Sequence, residues 1–273
     1  MDTNGKSKSK ARERYRVFLV THKGLVRDNN EDNFTINNIC KKLEYKNVKF
    51  VSEHDAPMLV AVFDGMGGES KGEYASFISA KNAKQLYRDI SQTSNPEARL
   101  EEYVGNFVQS ANNDIRTFLE ENKCQTGGST VVALLFVNGI VYPFSLGDSR
   151  IYLLRNGVLT QISKDQTLAM KKYEANIYTF EEAERSIDSH KLTSFLGVDY
   201  YRQGLSPQLF DRIAIQDTDK LLLCSDGLYD ELSIREIQNI MLSNPDQPAF
   251  KLVQAALNHG GNDNVTCAVI ERV

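Results

Sequence analysis

Apolar residues along this chain change period from stretch to stretch, and the changes predict its elements. Tyr15 to Val20 is a short apolar run that reads as a strand, and Phe34 to Ile36 and Lys49 to Val51 read as further strands around a lysine-rich loop. Leu59 to Phe63 is unbroken and partly β-branched, the pattern of an interior strand, and Ser129 to Val137 is too apolar to be half exposed. Ala75, Ile78, Ala83, Leu86 and Ile90 recur at helical spacing. So do Leu100, Val104, Phe107, Ala111, Ile115 and Phe118, which predicts a long amphipathic helix after Pro96 that ends at Thr126-Gly127-Gly128. Ile234, Ile237 and Met241 predict a shorter helix, and another is expected from Pro248 to Asn258 before a last strand, Val265 to Ile270.

Two dipeptides set the strand connections. Asn138-Gly139 lies between apolar runs, as does Asn156-Gly157, and each is a short-hairpin signal. An antiparallel meander follows, which argues against a doubly wound nucleotide fold with its alternating parallel strands. Residues 163–200 are mixed and highly charged, and we expect a flap of helical pieces there. Residues 1–12 carry Lys6, Lys8, Lys10 and Arg12 among serines and read as a solvated basic tail, leaving residues 13–273 as a single domain.

Composition narrows the chemistry mainly by exclusion. A net charge of −4 gives no global basic field for nucleic acid. No apolar run is long enough to span a bilayer, and no secretory signal is present. Cys40, Cys124, Cys224 and Cys267 are scattered without CxxC spacing, so reduced thiols and a cytoplasmic location are expected. A cysteine-nucleophile phosphatase needs arginine six residues after its cysteine. Those positions hold Lys46, Thr130, Asp230 and Val273, which removes that mechanism. His22, His54, His190 and His259 are isolated and have no zinc spacing, so each is expected to be a surface or core residue.

Three apolar strands deliver, or are entered from, an aspartate beside glycine: Phe63-Asp64-Gly65, Ser225-Asp226-Gly227, and Gly261-Asn262-Asp263 before Val265. A fourth polar break, Gly147-Asp148-Ser149-Arg150, lies at a strand end between the hairpins. The glycines after Asp64 fit neither a dinucleotide fingerprint, which would need glycine at Ser70, nor a GxxxxGK[ST] phosphate loop. Aspartates gathered at strand ends would repel one another unless a hard divalent cation joined them, and oxygen ligands favour Mg²⁺ or Mn²⁺. Arg27, four and five residues before the Glu31-Asp32 pair, suits an anionic group lying beside such a centre.

At this point the chain resembles the metal-dependent serine/threonine protein phosphatases of the 2C type, in their compact bacterial form. The matching strings run in family order: Arg27 with Asn30-Glu31-Asp32, Val62 to Gly68, Gly147 to Arg150, Leu192-Thr193 with Leu196-Gly197, Ser225 to Leu228, and Gly261 to Thr266. The resemblance implies an α+β fold, a four-layer α-β-β-α sandwich of two antiparallel sheets flanked by helix pairs, with a flap subdomain. It implies Asp64 as a ligand bridging two tightly held Mn²⁺ or Mg²⁺ ions, with Gly65 giving a backbone carbonyl and Asp226 and Asp263 completing the first ion. By the same likeness Asp148 and Asp226 hold a third, looser ion, Glu31 and Asp32 orient metal-bound waters, and Arg27 clamps the substrate phosphate. The implied reaction is in-line attack on phosphoserine or phosphothreonine by a water or hydroxide between the metals, without a covalent enzyme intermediate.

Two departures stand out. Met66 occupies the place of a histidine that eukaryotic relatives use to protonate the leaving alkoxide, so a metal-bound water or a flap residue must donate that proton. Gln166, in Asp165-Gln166-Thr167, replaces a frequent histidine at the flap entrance and bears on substrate preference. The expected partners are phosphorylated proteins and a cognate serine/threonine kinase, with the enzyme a monomer. Two other functions fit the same residues: a catalytically silent binder of phosphopeptide or partner, and a small-molecule phosphoesterase.

Overall fold

The computed structural model describes residues 13–67, 71–199, 205–243 and 246–273. The basic tail expected at residues 1–12 lies outside them. In chain order the elements are β1 (Arg14–His22), β2 (Asn33–Ile36), β3 (Ile39–Cys40), β4 (Val48–Asp55), β5 (Met58–Phe63), β6 (Gly65–Met66) and α1 (Lys71–Ser91). A 3-10 turn at Pro96–Arg99 leads into α2 (Leu100–Glu121), β7 (Gly128–Ser129), β8 (Val131–Val137), β9 (Ile140–Leu146), β10 (Arg150–Arg155) and β11 (Val158–Gln161). Then follow α3 (Leu168–Glu174), α4 (Phe180–Arg185), a second 3-10 turn (Ile187–His190), β12 (Gln208–Leu209) and β13 (Ile213–Ala214). The chain closes with β14 (Lys220–Cys224), α5 (Asp226–Tyr229), α6 (Ile234–Leu242), α7 (Pro248–His259) and β15 (Val265–Arg272).

Local chemistry explains the boundaries. Asn138 and Gly139 have φ of 51° and 74°, and Asn156 and Gly157 have 52° and 82°, so both hairpins turn through residues that tolerate positive φ. Helix α6 opens with a capping box in which the Ser233 side chain accepts from the Glu236 backbone and the Glu236 side chain accepts from Ser233. Helix α7 starts on Pro248, whose missing N–H is no loss in the first turn.

Among the described residues the strands form two large antiparallel sheets, one in the order β11-β10-β14-β15-β1-β4 and the other β12-β9-β8-β5-β2-β3, with β13 also on β9. Alternate residues of each central strand serve different layers. Val60 and Val62 face the core between the sheets with Val17, Leu223 and Ile270. Ala61 and Phe63 face α1 and α2, against Ala83, Phe107 and Ile115. Leu222, Cys224 and Val269 face α6 and α7, against Ile237, Met241 and Leu252. Burial on both faces is why these runs are continuously apolar rather than alternating. Such packing is worth about 3–5 kcal/mol for a buried phenylalanine of this kind against truncation to alanine. The result is the expected four-layer α-β-β-α sandwich.

The structure adds elements that were not read from sequence. Strands β12 and β13 are two residues each, too short to show a period, and extend the sheet beside β9. Asp226-Gly227 begins a helical turn, α5, ahead of the helix read from Ile234 onward. A Cβ at Gly227 would lie 2.1 Å from the Asn264 carbonyl oxygen, so close approach to the neighbouring loop explains the glycine.

Candidate metal centre

Strand pairing assembles the site. Arg150 pairs with Cys224, and Cys224 pairs with Cys267, so the loops carrying Asp148, Asp226 and Asp263 leave one end of the first sheet together. His22 pairs with Val265, which brings the Arg27 loop to that end. In the second sheet Asn33 pairs with Phe63, placing Asp32 and Asp64 side by side.

Backbone and hydroxyl groups then fix each carboxylate. The Asp64 N–H donates to Thr130 Oγ1 at 3.1 Å, and the Asp64 carbonyl accepts from the Thr130 N–H at 2.8 Å. Thr130 Oγ1 in turn bonds Ser149 Oγ at 2.7 Å. Gly65 must be glycine, because a Cβ would meet the Gly72 carbonyl oxygen at 2.1 Å and that of Glu31 at 2.5 Å. Asp32 is 1 % exposed, and its Oδ2 accepts from Ser225 Oγ at 2.7 Å. The Ser225 hydroxyl also accepts from the Thr266 N–H at 3.0 Å. Asn264 ties the Arg27 loop to β15, accepting from the Glu31 N–H at 2.7 Å and donating to the carbonyls of Lys23 and Asn29 at 2.9 and 2.8 Å.

Electrostatics show what this convergence costs. The Asp64 carboxyl is pushed well above the usual carboxylate range by burial, then by the charges of Asp226, Asp32 and Asp148. The Asp64 and Asp226 carboxyl groups lie close enough to act directly on each other. Asp148 and Asp226 are raised for the same reasons, burial first and neighbouring aspartates second. Burial lifts Glu31 to about 7 and Asp32 to about 7, the latter against the lowering effect of its hydrogen bonds from Thr266 and Ser225. Asp32 Oδ1 has no hydrogen-bond partner although it is buried. Crowded carboxyl groups whose charged forms repel one another, with an orphaned acceptor among them, are an oxygen donor set that a divalent cation would relieve.

Of the residues singled out from sequence, Asp64, Asp148, Asp226 and Asp32 come together as one cluster, and Asp263 joins it through Asp226. Arg27 reaches the same place, with its Nη2 donating to Asp263 Oδ2 at 2.6 Å. Glu31 sits against the start of α1, where its Oε2 would lie 2.6 Å from a Cβ at Gly72. Sequence reasoning gave no site role to Thr130, Ser225 or Asn264. Asn264 and Ser225 did stand inside the quoted strings, and that was their one visible signal. His190, expected to be an ordinary surface or core residue, is exposed, but its ring forms a group with Asp226 and Asp230 whose ligand atoms all lie within 4.8 Å of one another. Its distance from Asp226 along the chain concealed this.

A family model described as "Protein phosphatase 2C" matches residues 47–267. The chain belongs to the protein phosphatase 2C family. Within that family it is 33 % identical over 266 residues to the serine/threonine protein phosphatase PstP of Mycobacterium tuberculosis, covering 94 % of this chain and 46 % of that protein. This 2C-type chain thus spans about half the length of that curated relative. It is 28 % identical to the serine/threonine phosphatase stp of Listeria monocytogenes, with 92 % and 94 % of the two chains covered. The crystal structure of the PstP catalytic domain in complex with two manganese ions superposes with a TM-score of 0.74 at 31 % identity, covering 96 % of this chain and 99 % of that one.

Proposed function

We propose that this 2C-family chain hydrolyses phosphoserine and phosphothreonine in proteins, using two divalent cations, Mn²⁺ or Mg²⁺, held at the carboxylate cluster. The observation that carries the reading is the strand register that brings Asp64, Asp226 and Asp263 to one end of the sheets beside the buried Asp32 and Asp148. Asp64, Asp226 and Asp263 would hold the ions, with the Gly65 carbonyl as a further donor. Asp148 and Asp226 would hold a third, looser cation. When bound, the ions supply an activated water as nucleophile and neutralise charge on the phosphate.

The chain's own residues do the remaining work. Arg27 turns its guanidinium to the substrate phosphate, exchanging Asp263 for a dianion as partner. Glu31 and Asp32, both pushed up to about 7, are poised to hold or accept protons of waters at neutral pH. Met66 has no proton to give to the leaving alkoxide. His190, on the flap beside Asp226 and Asp230, is a protic side chain close to the cluster that could assist.

Residues 13–273 act as one catalytic unit, with residues 163–200 as a flap at its edge. Its substrates are phosphoproteins, and it opposes a serine/threonine kinase. No helix among the described residues is long and apolar enough to cross a membrane. The four cysteines are free thiols, in keeping with the cytoplasm.

The test is phosphate release from a phosphothreonine peptide with Mn²⁺. Asp64→Ala should lose more than about a hundredfold in kcat/KM, since loss of residues that merely support ligands already costs roughly 10–100-fold. Activity that survives the substitution, or that needs no metal, would defeat the proposal. Arg27, Asp64, Asp226 and Asp263 are all present at the site, which favours catalysis over a silent binding role.

A further inference from the structure

The loop that carries Arg27 also carries the least expected side chains near the site. Leu25 and Val26 are 61 % and 65 % exposed. Flexibility does not account for this, because the loop is tied down along its length. The Lys23 N–H donates to Asn47 Oδ1 at 3.0 Å, the Gly24 N–H to His22 Nδ1 at 3.0 Å, and the Leu25 N–H to the Gly261 carbonyl at 2.7 Å. Gly24 lies so close to the metal-site loop that a Cβ would come within 2.2 Å of the Asp263 carbonyl oxygen.

Charged side chains brace the loop from its surface. Lys23 Nζ donates to the Arg27 carbonyl and Lys46 Nζ to the Asp28 carbonyl, each at 2.8 Å, while the Arg27 guanidinium reaches Asp263. Directly before the exposed guanidinium, a pair of apolar side chains also faces water from hydrogen-bonded backbone. Single exposed apolar residues need no explanation, but a fixed pair continuous with an anion-binding group is a surface for a ligand that is both charged and apolar. Consecutive Cα atoms are about 3.8 Å apart, so a peptide whose phosphate meets Arg27 brings its next one or two residues over Leu25 and Val26.

Resting on the phosphatase reading above, we infer that Leu25 and Val26 form a specificity edge that selects phosphoproteins with an aliphatic or aromatic side chain within two positions of the phosphorylated residue. The edge acts on flanking sequence and leaves the phosphate chemistry alone. A substrate without flanks therefore does not sense it.

The experiment compares phosphothreonine peptides bearing Leu or Ser at each of the two positions on either side, with p-nitrophenyl phosphate as the flank-free substrate, all with Mn²⁺. In the native enzyme Leu at one flank should raise kcat/KM about tenfold, as expected for burying one or two such side chains. Leu25→Ser/Val26→Ser, and in lesser degree Val26→Ser alone, should abolish that preference while p-nitrophenyl phosphate turnover stays within twofold. No preference in the native enzyme, a preference that survives in the variants, or an equal fall on both substrates would overturn the inference. If the native chain releases phosphate from no peptide, the phosphatase reading itself fails. Fluorescence anisotropy with difluorophosphonate analogues of the Leu and Ser peptides then decides the inference separately: tighter binding of the Leu analogue that is lost in the variants upholds it, and equal binding of the two overturns it.

Discussion

Arg27 and Asp263 face each other at 2.6 Å, so the residue assigned to the phosphate and a residue assigned to the cation are partners in the structure described here. The pair is half exposed, and such pairs contribute little to stability. On the proposed reading, Asp263 becomes fully available to a cation when Arg27 swings to a phosphate. Replacing Arg27 by alanine should raise KM for a phosphothreonine peptide about tenfold to a hundredfold, the value of a hydrogen bond to a charged group. Mn²⁺ affinity by calorimetry should hold or rise, because a competitor for Asp263 has gone. Weaker Mn²⁺ binding would show that Arg27 supports the metal site instead. At this scale the sequence was legible for charged residues and opaque for neutral ones. Asp64 and Asp226 announced themselves as carboxylates ending apolar strands. Thr130 and Ser225 did not, because a buried hydroxyl that bonds a carboxylate or its backbone looks no different in sequence from one that bonds water.

Elements divide into those whose position follows from burial and those whose position follows from polar contacts. Strands β5, β8, β14 and β15 are buried on both faces, and their continuous apolar runs gave their places directly. The flap is built differently. Asp188 accepts from Lys172 Nζ at 2.5 Å, from Lys191 Nζ at 2.8 Å and from the Tyr178 hydroxyl at 3.3 Å, which joins α3 to the turn that carries His190. Nothing in the composition of residues 163–200 singles out Asp188 among so many charges. These contacts hold its carboxyl at about 2, below its ordinary 3.8, chiefly through the hydrogen bonds from Lys172 and Lys191. A depressed carboxyl stabilises the fold above its unfolded pKa and loses that contribution as pH falls through the folded value. Flap protection in hydrogen exchange, corrected for intrinsic rates, should therefore be full above about pH 4 and decline toward pH 2. Asp188→Asn should expose α3 and the 3-10 turn several-fold at pH 7 and lack the acid step, while β14 and β15 keep their protection. Unchanged flap exchange in the variant would show that packing, not this ionic cluster, holds the flap.

On the scale of the whole molecule, two sheets and their helices bring residues from distant parts of the chain to one end of a sandwich. The three apolar layers leave that end as the place where strands stop and polar loops meet. The antiparallel arrangement was readable from the two Asn-Gly hairpins, whereas which strand ends would coincide depended on register, which no local pattern encodes. The central claim is that this end traps a pair of divalent ions among Asp64, Asp226 and Asp263. Its most direct test is anomalous diffraction at the manganese edge from crystals soaked in Mn²⁺. The account predicts two strong peaks about 3.5–4 Å apart, with Asp64 between them. No peak there, or ions bound only elsewhere on the protein, would contradict it.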